Sequence, residues 1–275
     1  MASSLITRRV FIVSVLLVTL GSLVSISNAR CEFEAIFNFG DSNSDNGGFY
    51  AAFPSQSGPY GMTNFKTPSG RASDGRLIID FLAQAIGIPF LSPYLQSIGS
   101  NYKHGANFAT AASTVLQPST SIFVSGISPF YLNVQLNQMK LLKAKVDHDS
   151  SDQLPSADIF GKSLYTFNIG QNDFTSNLAS VGISGVRQRI LKLLIRSQGL
   201  LSYNFDPQVQ CGNSKVISGN TVTATACEDP YHYVSWDGVH TTEAANKQIA
   251  QAIVSGSYLD PPFALKDHCD IQPIG

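Results

Sequence analysis

The chain has 275 residues, 43% of them hydrophobic and only 13% charged, which suits one globular α/β domain and excludes a disordered tail protein. With 18 Lys and Arg against 19 Asp and Glu, the formal net charge of −1 leaves no electrostatic footprint for nucleic acid or for an anionic membrane. Small-molecule partners are expected instead.

Arg8 and Arg9 precede a mostly apolar run from Val10 to Val24, and Ser27-Asn28-Ala29 supplies small residues at cleavage-site positions. Residues 1–29 therefore read as a signal peptide cut after Ala29, which makes the protein secreted and extracellular. The run is shorter than the roughly 20 apolar residues of a membrane span, and Ser14, Thr19 and Gly21 interrupt it, so stable membrane insertion is not expected. Export leads to an oxidising compartment, where Cys31, Cys211, Cys227 and Cys269 can form disulfides. No CxxC or Cys/His spacing suits zinc, and no Asn-x-Ser/Thr acceptor for N-glycosylation is present.

Ala35-Ile36-Phe37-Asn38-Phe39 is a short apolar run halted by Gly40-Asp41, as expected of a buried strand ending in a turn. Residues 54–68, dense in Gly, Pro and Ser, read as a long surface loop of the kind that lines a site, and so do residues 118–129. Asp74-Gly75-Arg76 leads into a helix over residues 77–86 that stops at Gly87, with Pro89 beyond it. A second strand is predicted over residues 164–169, halted by Gly170. Strand, helix, strand implies a parallel sheet. A last helix over residues 242–253 places Ala245, Ile249 and Ile253 on one face. There is no internal repeat and no linker, so residues 30–275 read as a single domain.

Three places could carry chemistry. Ser42 stands just past the first strand in Gly40-Asp41-Ser42-Asn43-Ser44-Asp45, where an open α/β sheet presents side chains to a ligand. The same residues also make an ordinary polar turn, and the segment lacks the second glycine of G-x-S-x-G. In Trp236-Asp237-Gly238-Val239-His240, a carboxylate three residues before an imidazole could fix its tautomer while the other ring nitrogen takes a proton from serine; otherwise Asp237 caps the next helix. Asn172, in Gly170-Gln171-Asn172-Asp173, could donate its amide to an oxyanion or simply form a strand-end turn. His104, His148, His232 and His268 have no partner pattern, and Arg71 and Arg76 are expected in surface ion pairs.

The order of these segments resembles the plant GDSL esterase/lipases of the SGNH hydrolase superfamily. Residues 37–45 are similar to that family's first block, Gly105-Ala106-Asn107-Phe108-Ala109-Thr110-Ala111-Ala112 to its second, Gly170-Gln171-Asn172-Asp173 to its third and Asp237-Gly238-Val239-His240 to its last. The resemblance, from about residue 33 to the end, implies a three-layer doubly wound parallel sheet. It implies ester hydrolysis by Ser42, Asp237 and His240, with Asn172 and the backbone N–H of Ala112 as oxyanion donors. It implies no cofactor and no metal; substrates would be small-molecule or cell-wall carboxylic esters, acetyl or acyl. Two rivals are a non-catalytic binding module on the same scaffold and a glycosidase, for which no carboxylate pair is evident.

Two departures stand out. Ala111 and Ala112 occupy positions where the family usually has glycine, which matters if the backbone there needs positive φ. After the third block, a helix beginning over residues 185–195 and Leu201-Ser202-Tyr203-Asn204-Phe205 lead almost at once to Cys211, where the family carries a long tract. A deletion near residues 197–203, as in a shortened splice form or gene model, would leave the sheet incomplete. Cys211 and Cys227 are then the expected local bridge, and Cys31 and Cys269 either pair together or are left over from partners in the missing tract.

Overall fold

The first apolar run forms strand β1 (Ala35–Gly40), every residue of it buried. In the computed structural model, which describes residues 31–118, 126–149, 151–175, 214–217, 220–223 and 229–275, β1 is the centre of a three-stranded sheet. The helix α1 (Gly48–Ala52) follows the turn after β1, and α2 (Ile78–Ala85) follows the loop of residues 54–68. Strand β2 (Gly105–Asn107) pairs parallel with β1 on one side; β3 (Ser163–Asn168) pairs parallel on the other, with Phe37 opposite Tyr165 and Phe39 opposite Phe167. Helix α3 (Leu132–His148) lies between them in sequence, α4 (Gln171–Thr175) follows β3, and α5 (Glu243–Ser255) lies near the C-terminus. Strands β4 (Ser214–Ile217) and β5 (Asn220–Thr223) make a separate antiparallel pair.

Alternation along β1 divides its side chains between two cores, because successive Cβ atoms leave opposite faces of a strand. Ile36 joins Leu77, Ile79 and Leu82 at α2 and Val254 of α5. Ala35, Phe37 and Phe39 join Leu142 and Val146 of α3. The result is the expected three-layer arrangement of helices on both faces of a parallel sheet. Phe39 stacks between Phe108 (5.1 Å) and Phe167 (4.8 Å), and Phe37 between Phe160 (5.1 Å) and Tyr165 (5.6 Å), so an aromatic ladder crosses the sheet. That ladder ends in the open: Tyr165 and Phe167 are 38% and 54% exposed, although the sequence reads as a buried strand.

Helix α3 is not among the sequence expectations. Its inward residues Leu132, Leu136, Met139, Leu142 and Val146 follow helical spacing, but Gln135 and several lysines dilute the apolar signal. Gln135 is fully buried for a reason: its amide accepts from Gly40 N–H (2.9 Å) and donates to the carbonyls of Gly40 (2.8 Å) and Phe130 (2.9 Å), acting as a strand partner where β1 ends. In α5 the fully buried stripe is Asn246, Ala250 and Val254; Ala245 is also buried, but Ile249 and Ile253 are only half-buried, a turn of about one residue from the expected face. Polar contacts decide this. Asn246 donates to the Arg76 carbonyl (3.0 Å), and Glu243 pairs with Arg76 (2.7 Å).

Cys31 and Cys269 are joined, closing the ends of the described chain onto one another. The signal peptide of residues 1–29, the expected helix at 185–195, the deletion near 197–203 and the Cys211–Cys227 bridge lie outside the described residues. Among the described residues no helix is long and apolar enough to cross a membrane.

Candidate active site

Gly40 ends β1 where a Cβ would overlap Ser44 Oγ and the Asn168 carbonyl, so only glycine lets the chain turn between the strands. In the turn, Asp41 Oδ1 accepts the Asn43 N–H and side-chain amide (both 3.0 Å), and the backbone of Ser44 and Asp45 folds back on the Asp41 carbonyl. The turn chemistry and the chemical address of Ser42 therefore coexist. Asp45 accepts the N–H groups of Gly47, Gly48, Phe49 and Ala111; burial nonetheless pushes its carboxyl up to about 6. Beneath the turn, Asn107 donates to the Ser44 carbonyl (2.7 Å) and Asn46 (2.9 Å), and accepts from Asn38 (2.7 Å). This buried amide cluster ties β1 and β2 to the Ser42 turn.

The distant Asp237–His240 segment lies against Ser42. His240 Nε2 is 2.7 Å from Ser42 Oγ, and His240 Nδ1 is 2.6 Å from Asp237 Oδ2. Gly238, at φ 84°, lets the chain reverse between them, and Asp237 Oδ1 accepts the N–H groups of Val239 (3.0 Å) and His240 (2.8 Å). Burial works against an ionised Asp237, but the hydrogen bond and charge of His240, with these N–H groups, hold its carboxyl at about 2. An ionised carboxylate only accepts, so the network is satisfied when Nδ1 carries the imidazole proton and Nε2 accepts the Ser42 hydroxyl. The capping alternative for Asp237 does not hold: Thr242 caps α5, its Oγ accepting from Ala245 N–H (3.2 Å).

Ser42 is not the exposed strand-end residue that its position suggests. It is 8% exposed, because the His240 segment folds over it. Ser42, Ala112, Asn172 and His240 line one cleft of about 230 Å³, together with Tyr50, Tyr60, Gly70, Ala72 and Val239. Asn172 donates one amide hydrogen to the Ser113 carbonyl (2.8 Å), which fixes the amide plane; among the described residues its second hydrogen has no acceptor. Next to it, Gln171 accepts from the Asn43 amide (2.7 Å), joining the Ser42 turn to the Asn172 turn. Among the described residues the backbone N–H groups of Ser42 and Ala112 have no acceptor, whereas that of Ala111 is taken by Asp45.

Ala112 has φ 62°, the left-handed region that its replacement of glycine puts in question. For an L-residue this costs about 1–2 kcal/mol, and glycine there would lose roughly 0.4–1 kcal/mol through its freer unfolded chain. Ala112→Gly is therefore expected to raise stability by up to about 1 kcal/mol, a Tm increase of roughly 2–4 °C. A lower Tm in a thermal melt would show that Ala112 is unstrained.

Arg71, buried, and Arg76, partly buried, are structural clamps, not the surface ion pairs expected of them. Arg71 grips Asp80 through two nitrogens (both 2.7 Å) and lies 4.3 Å from the centre of the Phe65 ring. Arg76 pairs with Glu243, Asp74 accepts the Glu243 N–H (2.7 Å), and Ser73 donates to the Thr241 carbonyl (2.9 Å), so the loop before α2 is laced to the segment just after His240. His104, His232 and His268 bind the Glu34 carbonyl, Asp229 and Glu32 respectively, away from the cleft. Among the described residues no group of three or more His, Cys, Asp or Glu is placed to hold a metal.

A parallel α/β sheet carrying these four segments defines a class, and the comparison with known sequences places the chain in it. The sequence model of the GDSL-like lipase/acylhydrolase family matches residues 36–198, and the chain belongs to that family of carboxylic ester hydrolases. It is 43% identical to the GDSL esterase/lipase At4g01130 of Arabidopsis thaliana over 381 residues, covering 98% of this chain and 100% of that protein. It is 33% identical to the GDSL esterase/lipase ACHE of Zea mays (87% and 89% covered) and 32% identical to alpha-L-fucosidase 3 of Arabidopsis thaliana (82% and 91%). An alignment of 381 residues against a chain of 275 must open gaps in this chain.

Proposed function

We propose that this chain hydrolyses small carboxylic esters by acyl transfer through Ser42, with His240 as general base and Asp237 as its partner. His240 Nε2 takes the Ser42 proton as Oγ attacks the ester carbonyl. The oxyanion accepts hydrogen bonds from the N–H groups of Ser42 and Ala112 and the free amide hydrogen of Asn172. His240 then gives its proton to the departing alcohol as the ester C–O bond breaks. Water, deprotonated by His240, releases the acid and restores Ser42. The unbroken hydrogen-bonded line from Asp237 through His240 to Ser42 is the observation that carries this reading. A fluorophosphonate probe tests it: covalent labelling should map to Ser42, and labelling elsewhere or nowhere would overturn it.

The cleft also supports a substrate class. At about 230 Å³, walled by Gly70, Ala72, Ala111, Ala112 and two tyrosines, it falls below the roughly 300–1,000 Å³ of pockets for drug-sized ligands. Short acyl groups such as acetyl are the ones it suits, including acetyl esters of cell-wall sugars. On p-nitrophenyl esters, kcat/KM for acetate or butyrate should exceed that for palmitate at least ~10-fold, since unaccommodated methylenes lose about 0.8 kcal/mol of burial each; a preference for palmitate would reject the short-acyl reading.

The fucosidase relative gives a second reading its test. Asp45, which lines the cleft, and Asp237 behind His240 are already engaged by amide or imidazole donors, as is one oxygen of Asp41 beside Ser42, which disfavours a free acid–base pair. Turnover of p-nitrophenyl fucoside that survives in Ser42→Ala would favour it over ester hydrolysis. The chain is further read as one domain over residues 30–275, secreted after removal of residues 1–29, a reading supported by the Cys31–Cys269 disulfide.

A further inference from the structure

The geometry points to Tyr60 as a positioning residue for the Asp237–His240 pair, a role that rests on the ester-hydrolase reading above. Its hydroxyl donates to Asp237 Oδ2 at 3.0 Å, the same oxygen that accepts His240 Nδ1–H at 2.6 Å. With the two backbone N–H groups on Oδ1, the carboxylate is held by four donors, two on each oxygen. Tyr60 is the one of these that arrives from a separate loop, 177 residues away in sequence.

That loop is built to hold it. Gly61 N–H donates to the Ser73 carbonyl (2.9 Å), Thr63 N–H to the Asp74 carbonyl (2.7 Å), and Ser73 and Asp74 in turn bind Thr241 and Glu243 on the far side of His240. The Tyr60 ring meets buried Trp236 edge-on at 5.6 Å, so the residue before Asp237 fixes the ring while Asp237 fixes the hydroxyl. Burial and the neighbouring Asp237 push the Tyr60 hydroxyl far above its ordinary range, so it remains a donor at any working pH. The other titratable groups facing the pair are Asp41, toward His240, and Tyr50, toward Asp237, with Asp45 behind Tyr50.

Tyr60 does not touch the reacting atoms. It draws negative charge from Oδ2 and keeps the carboxylate from rotating off Nδ1. Without it, the carboxylate becomes more basic and holds the imidazole proton to higher pH, while the imidazole loses a fixed orientation toward Ser42.

Tyr60→Phe keeps the ring on Trp236 and removes only the hydroxyl. The expected result is a roughly 10-fold fall in kcat with KM changed less than about two-fold, and an acidic limb of the kcat/KM profile displaced to higher pH. In an Asp237→Asn background the same substitution should cost little, because residues acting through one partner are not additive. An equal loss in both backgrounds, or a profile that does not move, would overturn the positioning role. The imidazole N–H proton of His240, followed by NMR in wild type and Tyr60→Phe, gives a readout independent of turnover; an unchanged resonance overturns the inference as well. If Asp237→Asn itself retained wild-type turnover, the ester-hydrolase reading of Asp237 would fail, a result separable from an inert Tyr60→Phe alone.

Discussion

Ser42→Ala is expected to lower kcat/KM on a short-chain ester by at least ~10³-fold while leaving the protein folded. Ser42 Oγ is the oxygen 2.7 Å from His240 Nε2, and no other described hydroxyl is hydrogen-bonded to that nitrogen. Removing it leaves the base with nothing to deprotonate except water, while the N–H groups of Ser42 and Ala112 remain in place. The fold should tolerate the change, since one hydrogen bond of a small side chain contributes only about 1 kcal/mol net. Matched thermal melts and kcat/KM on one acetyl ester measure both halves. A variant that kept a tenth of wild-type turnover would remove Ser42 from the proposed mechanism.

The second large effect follows from the deletion proposed above between Ser197 and Tyr203. Among the described residues β3 is the last strand on its side of the sheet, and Tyr165 and Phe167 continue the aromatic ladder into solvent. Covering the exposed part of these two side chains would stabilise the fold by about 1 kcal/mol each. Asn172 sits in α4 immediately after this strand, so a shift of β3 would displace the amide that lines the cleft. A displacement of about 1 Å in a positioned group can cost ~100-fold in rate. A version carrying a family-length tract at this point is therefore expected to melt about 5 °C higher and to show kcat/KM up to ~100-fold greater. Equal melts and equal rates would mean that the tract is dispensable and the shorter chain is a complete enzyme.

The parts of the site that were legible in the sequence are those that local chemistry concentrates in short segments. A strand run stopped by Gly40 predicts where Ser42 emerges, and the three-residue interval with Gly238 lets Asp237 and His240 meet within one turn. The parts that were not legible join segments with no period relating them. Gln135 reaches Gly40 across 95 residues, Arg76 reaches Glu243 across 167, and Tyr60 reaches Asp237 across 177. Arg71 illustrates the same limit at short range: nine residues from Asp80 it resembles a surface ion pair, and its burial is decided by the Phe65 and Phe90 rings that close over it.

The sequence by itself determined strands β1 and β3, helices α2 and α5, the parallel α/β class and the identity of Ser42, Asp237, His240, Asn172 and Ala112 as candidates, because hydrophobic period, turn residues and block order are written along the chain. Only the tertiary structure decided that Ser42 lies covered by His240, that Ala112 adopts positive φ, that Arg71 is a buried clamp and Arg76 a partly buried one, and that Tyr60 grips Asp237. Those outcomes depend on which distant surfaces meet when both faces of β1 are buried. Long-range packing fixes the partners of a buried polar group, and its neighbours in sequence do not.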